Sequence, residues 1–195
     1  MDCCLSEKYQ WCKALPADYE DEMGDIFCIF HAPATNKGPF HADEFNSMVF
    51  ELIHEKTKAG EPCSLAGTVF EWEISLKPFA KEIPLNGISF AEATFCHSVN
   101  FNHLIFSESV DFSGATFLEK ADFEYIQFHG DALFKEAIFY GDAYFFDSIF
   151  SGKADFNKVV FDKFVYFSVG AFRGGGNFDE VRYGNKIIFK RLVIE

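Results

Sequence analysis

The sequence lacks the features that would mark a membrane, secreted or nucleic-acid-binding protein. It contains nothing near the roughly 18 uninterrupted apolar residues of a membrane-spanning helix, and Met1-Asp2-Cys3-Cys4 opens neither a cationic signal peptide nor a transit peptide. A cytoplasmic protein without a membrane span is therefore expected. Basic residues are scarce, with 17 Lys and Arg against 30 Asp and Glu and a formal charge of -13. Direct nucleic-acid binding is not expected, because the phosphates require a basic face. The N-terminal part is the more acidic per residue: residues 1–80 carry 14 acids against 6 bases and residues 81–195 carry 16 against 11. Catalytic signatures are missing too. There is no Gly-x-Ser-x-Gly and no clustered carboxylate pair, and Arg173-Gly-Gly-Gly176 lacks the Lys-Ser/Thr ending of a phosphate loop. Nothing in the sequence supports an enzyme. Tyr and Trp are few, at 7 and 2, whereas Phe occupies 27 of 195 positions, a bias that suggests repetition.

The repetition is explicit. From Phe90 onward, aromatic residues fall at 90, 95, 101, 106, 112, 117, 123, 128, 134, 139, 145, 150, 156, 161, 167, 172, 178, 183 and 189. The spacing alternates between five and six, Tyr183 is the one member that is not Phe, and after residue 86 only Phe146 and Phe164 fall outside the series. Two residues before each aromatic stands a small or apolar residue, such as Ile88, Ala93, Val110 or Ala121. Two inward side chains two residues apart are what one face of a short β segment presents. The position between them is free to be polar, as in Asn100, Asp111, Asp122, Asp155 and Asn177, and the rest is turn-rich, as in Ser113-Gly114 and Ser151-Gly152. An average spacing of 5.5 drifts around a helix of 3.6 residues per turn, and an antiparallel sandwich needs longer strands. Four sides of five, six, five and six residues make a coil of about 22 residues, in which each Phe stacks on its equivalent one coil away at about 4.7–4.9 Å. A flattened coil of eleven residues competes, but its narrow interior would be overfilled.

The runs Ile88-Ser-Phe-Ala-Glu-Ala-Thr-Phe95 and Val110-Asp-Phe-Ser-Gly-Ala-Thr-Phe-Leu-Glu-Lys-Ala-Asp-Phe123 resemble the phenylalanine-centred branch of the pentapeptide-repeat proteins, over at least residues 83–189. The resemblance implies an all-β solenoid, a right-handed quadrilateral parallel β-helix with the aromatic as central inward residue. The sixth residue of alternate units departs from the strict five-residue form and is expected to bulge at alternate corners. Upstream, Leu85 with Ile83 and then Phe79 extend the phase, and Ala66–Phe79 reads as a strand pair or an irregular first coil. The organisation expected is a Cys-rich, partly helical cap over residues 1–62 and the solenoid over 63–195. The solenoid's C-terminal end, without an obvious cap, is the expected homodimer surface.

In the cap, residues 41–56 read as an amphipathic helix with Phe45, Val49, Leu52 and Ile53 on one face and Gly60 beyond its end, expected to cover the start of the solenoid core. Six cysteines without a secretion signal argue for free thiols or a metal site rather than disulfides. Cys28-Ile-Phe-His31 is a Cys-x-x-His knuckle, and Cys12 with Cys3 or Cys4 completes a tetrahedral set. The expected ligands are Cys3, Cys12, Cys28 and His31 around a structural zinc ion. Members of the branch resemble this chain in carrying a Cys-rich leader ahead of the repeats. The competing reading is a group of free, partly buried thiols. A catalytic zinc would need an open position and a base, for which Glu7 or Asp25 is the candidate. Cys63 and Cys96 read as isolated thiols. His97, His103 and His129 read as solvated corner residues sharing no stacked phase with a second ligand-type residue.

The functional expectation is a non-catalytic protein-binding or scaffolding module, a rigid rod of about five coils near 24 Å long. The alternative, implied by the fluoroquinolone-resistance members of the resembled family, is an acidic DNA mimic acting on a DNA gyrase or topoisomerase. It would require ordered columns of acids on one face.

Overall fold

The computed structural model describes residues 2–37, 41–76, 87–168, 171–190 and 193–194; Phe79, Ile83 and Leu85 lie outside them. From Cys63 onward the chain winds as a parallel β-solenoid with four faces. The first face stacks Cys63–Ser64, Ile88–Ser89, Val110–Asp111, Ala132–Leu133, Ala154–Asp155 and Gly176–Asn177. The second runs from Val69–Phe70 through Thr116–Phe117 to Arg182–Tyr183, the third from Ile74–Ser75 through Ala121–Asp122 to Lys186–Lys190, and the fourth from Ile105–Phe106 to Val193–Ile194. Phe95 pairs with Phe117 and Phe117 with Phe139, the offset of 22 that the alternating spacing requires; an eleven-residue coil is thereby excluded. The first coil is irregular, since Cys63 pairs with Ile88, Val69 with Thr94 and Ile74 with Val99, an offset of 25.

The interior consists of four ladders of benzyl groups, one per face. On the second face the rings of Phe70, Phe95, Phe117 and Phe139 stack at 4.6, 4.8 and 4.5 Å, with planes within 6° of parallel. On the first, Phe112, Phe134 and Phe156 stack at 5.0 and 4.9 Å. Neighbouring ladders meet edge to face, as Phe134 meets Phe145 at 5.7 Å and 88°. Both geometries put the positive ring edge or an offset face against the negative face of a neighbour. Alanines such as Ala115, Ala121 and Ala137, all buried, leave room for these rings between the ladders.

The two kinds of corner follow from the two unit lengths. Five-residue units turn through a β-turn with a positive φ at its third residue, as at Glu92 (56°), Gly114 (67°), Glu136 (60°) and Lys158 (57°). The turn is closed by bonds such as Ala137 N–H to the Phe134 carbonyl at 2.9 Å. The polar residue before the central Phe supports this turn. Asp111 accepts the Ser113 N–H at 2.8 Å, and Asp155 accepts the Asn157 N–H at 3.0 Å, each an Asx turn. At the six-residue corners that carry glycine the coils approach so closely that a side chain would not fit. A Cβ on Gly152 would lie 2.4 Å from the backbone of Gly130, and one on Gly174 would lie 2.3 Å from that of Gly152. The obstacle is backbone and cannot rotate away, so Gly152→Ala is expected to destabilise the chain by about 1–3 kcal/mol. Chemical denaturation should show this against Ser151→Ala as control.

Ahead of the solenoid stand a β-hairpin, β1 (Ala17–Glu20) with β2 (Ile26–Cys28), and a helix, α1 (Ala42–Ala59). The helix begins where the Glu44 carboxylate accepts the His41 backbone N–H at 3.1 Å and ends at Gly60, whose φ is 69°. Phe45, Val49 and Ile53 are buried. Phe45 lies 6.1 Å from Phe70, at the foot of the second-face ladder, and 5.8 Å from Phe30. The helix thus covers the start of the core, as its apolar stripe suggests. Leu52, expected on that stripe, is only partly buried because it borders a groove between the helix and the leader.

Candidate metal centre

Four short segments converge at the entrance to the solenoid. Cys3 lies in a turn beside β2, where Cys4 N–H donates to the Ile26 carbonyl at 2.7 Å. Cys12 closes a 3-10 turn over Gln10–Cys12, and Cys28 is the last residue of β2. His31 follows in a turn whose N–H groups at His31 and Ala32 return to the Cys28 carbonyl at 3.1 and 2.9 Å. The Sγ atoms of Cys3, Cys12 and Cys28 and a ring nitrogen of His31 all lie within 4.8 Å of one another, and all four residues are buried. Cys4 is exposed; donating its amide to Ile26 places Cys3, not Cys4, in the group. Glu7 and Asp25 are exposed and outside it.

The ring orientation of His31 is fixed from behind. Its Nε2–H donates to the carbonyl of Ala66 at 3.0 Å, so the lone pair is on Nδ1, which faces Cys28 Sγ at 3.3 Å and Cys3 Sγ at 3.6 Å. Zinc–sulfur and zinc–imidazole bond lengths in a tetrahedral site put sulfur and nitrogen about 3.6 Å apart. Tyr9 stacks on the imidazole at 4.9 Å, Trp11 meets it edge-on at 5.2 Å, and Trp11 Nε1–H donates to the same Ala66 carbonyl at 3.1 Å. Tyr9 in turn lies against Gly67, where a Cβ would fall 2.3 Å from the ring, and its hydroxyl donates to Glu92 at 2.8 Å. Lys8 forms an ion pair with the same carboxylate. The leader is therefore fastened to the first two coils through Ala66, Gly67 and Glu92.

Burial sets the electrostatics. Desolvation, with the neighbouring thiols, pushes Cys12 up to about 12, and desolvation pushes Cys28 up to about 11. Desolvation also lowers His31. Without a cation these groups are neutral, and a soft cation would displace the thiol protons. Lys37 carries no sequence signal of a buried role. Its ammonium is buried, donates to the Ile29 carbonyl and sits 4.7 Å over the Phe45 ring; burial lowers it to about 8, partly offset by Glu71.

Elsewhere, Cys63 is buried as the first residue of the first face, and Cys96 is half-buried. The reading of His97 as unpartnered is corrected: one coil later in the same phase stands Glu119, whose carboxylate lies 3.3 Å from His97 Nδ1 and also accepts from Ser98. Offsets of 22 carry side-chain pairing as well as backbone pairing. His103 stacks on Tyr125 by the same rule.

A family model described as pentapeptide repeats (9 copies) matches three overlapping windows, residues 90–138, 101–149 and 123–169. Residues 90–169 are pentapeptide repeats. No curated protein and no solved structure matches it. The pentapeptide-repeat windows begin at Phe90, downstream of every member of the Cys3, Cys12, Cys28 and His31 group, so the matched repeats lie within the solenoid and the centre belongs to the leader. Among the described residues no helix is long and apolar enough to cross a membrane.

Proposed function

We propose that the chain is a non-catalytic protein-binding or scaffolding module in which a cap, residues 1–62, is stapled by a structural zinc ion onto the solenoid of residues 63–195. The convergence of three thiols and one correctly presented imidazole nitrogen within 4.8 Å carries the reading. Three sulfurs and a nitrogen in a compact buried group suit zinc, whereas calcium and magnesium take oxygen ligands. Four protein ligands leave no open position for water or substrate, and no base accompanies them, so a structural role is favoured over a hydrolytic one.

The scaffolding half rests on the outer surface. The interior is filled by the Phe ladders, so contacts are available only on the outside. There, His103 stacks on Tyr125 at 4.8 Å, Tyr125 meets Phe146 at 5.3 Å, and Phe146 faces Tyr166 at 6.3 Å. Phe146 and Phe164, the two Phe outside the inward series, both belong to the strands of this third face, and Phe164 is 43% exposed. Aromatic enrichment marks the cores of protein interfaces. The DNA-mimic alternative gains no support from the register. The column Glu92, Gly114, Glu136, Lys158, Glu180 is interrupted at alternate coils, and among the described residues no two acids stand one coil apart.

Metal analysis of untagged protein tests the zinc staple. About one equivalent of zinc per chain is expected, lost in Cys28→Ser, with a lower melting temperature and the far-ultraviolet β signal retained. Native protein free of zinc would dismiss the staple.

A further inference from the structure

Between the leader and α1 runs an apolar groove. Two contiguous cavities of about 200 and about 210 Å³ share Leu15, Phe30 and Met48. Trp11 and Leu52 line one end and Tyr19 the other. Each cavity exceeds the roughly 150 Å³ apolar void that accepts a benzene ring, so each has room for a large apolar side chain.

The rim has one sign of charge. Glu51 and Glu55, one turn apart on α1, border the first cavity and Asp18 borders the second. All three are exposed, and none belongs to the ion pairs formed among the described residues. Residues 1–62 hold 12 acids against 5 bases, so no surplus of local cations neutralises that rim. The walls are held by the metal-centre segments: Trp11 precedes Cys12 and packs on His31, and Phe30 lies between Cys28 and His31.

We propose that this groove docks a basic, amphipathic peptide segment of a partner protein. Two apolar side chains enter the two cavities, and flanking Lys or Arg reach Glu51 and Glu55 at one end and Asp18 at the other. This rests on the protein-binding reading and gives the partner its chemistry; an acidic segment would place like charges across the rim, which opposes binding.

The test uses the full chain with its metal content measured. The probes are a fluorescent peptide of about ten residues combining Leu with Lys and its counterpart with Glu in place of Lys. Saturable binding of the Lys peptide by anisotropy is expected, weakened at least about tenfold in Glu51→Lys/Glu55→Lys. The pair Glu108→Lys/Glu180→Lys, which makes the same charge change on the solenoid, should bind as the native chain does. The proposal is overturned if the Lys peptide does not bind, if both double variants lose binding equally, if the Glu peptide binds as well, or if sedimentation shows a second copy in the groove. Zinc loss with peptide binding intact would count against the staple alone; zinc retention without peptide binding would count against the groove alone.

Discussion

Replacing Phe123 by alanine is expected to lower stability by about 3–5 kcal/mol, the range for truncating a fully enclosed aromatic. The ring is fully buried, stacks on Phe145 at 4.9 Å and lies against Phe101 at 5.3 Å. Phe112, Phe117 and Phe134 meet it edge to face at 5.5–5.9 Å. Since neighbours on every side are themselves locked in ladders, the void cannot collapse. Phe189, in the same ladder, stacks on Phe167 at 5.3 Å but is 48% exposed. Phe189→Ala should therefore cost clearly less. Equilibrium denaturation of the two variants decides the matter, and equal losses would contradict the stacked core. Because a solenoid is stabilised through neighbouring coils, the Phe123 variant should also unfold less cooperatively.

Zinc affinity is expected to rise at least about a hundredfold per pH unit through the neutral range. Cys12 and Cys28 hold their protons up to about 12 and about 11 because burial disfavours the thiolates. Each must therefore release a proton when the metal binds, and each released proton contributes a factor of about ten per pH unit. His31, lowered by desolvation, is neutral over that range and releases none. The metal-free protein should behave oppositely. Thiols whose folded pKa lies above the unfolded value contribute stability that is complete below the unfolded pKa near 9 and lost as pH rises toward 11 to 12. Competition titration with a zinc chelator at several pH values, and melting of chelated protein at alkaline pH, measure the two effects. A pH-independent affinity would mean that the thiols are not ligands.

The solenoid was legible because its core obeys one short period, and a residue that breaks the period has nowhere inside to go. Phe146 and Phe164 show this, since both were set apart by spacing alone and both lie on the outer surface. The position before the central Phe looked merely free to be polar. Its chemistry is more specific, for Asp111 and Asp155 accept amide protons of the turn that follows. Cys28 and His31 were legible as a local knuckle. The choice between Cys3 and Cys4 was not, since it depends on which amide meets β2. The β1–β2 hairpin also escaped notice because its strands lack clear alternation, and its turn rests on Asp21, whose carboxylate accepts the Met23 and Asp25 amides, and on Gly24 at φ 84°. Lys37 gave no signal because a lysine reads as solvated until the fold buries it.

The constant offset of 22 turns the coil into a unit of length. Excising one such unit between Phe112 and Phe134 would join positions that already occupy equivalent sites on the first face, as Val110 and Ala132 do, and would shorten the molecule by one interstrand step of about 4.8 Å. The attachments at Ala66, Gly67 and Glu92 would be untouched. Such a molecule works as a ruler, adjustable in span by whole increments, while the machinery at its head keeps the same footing.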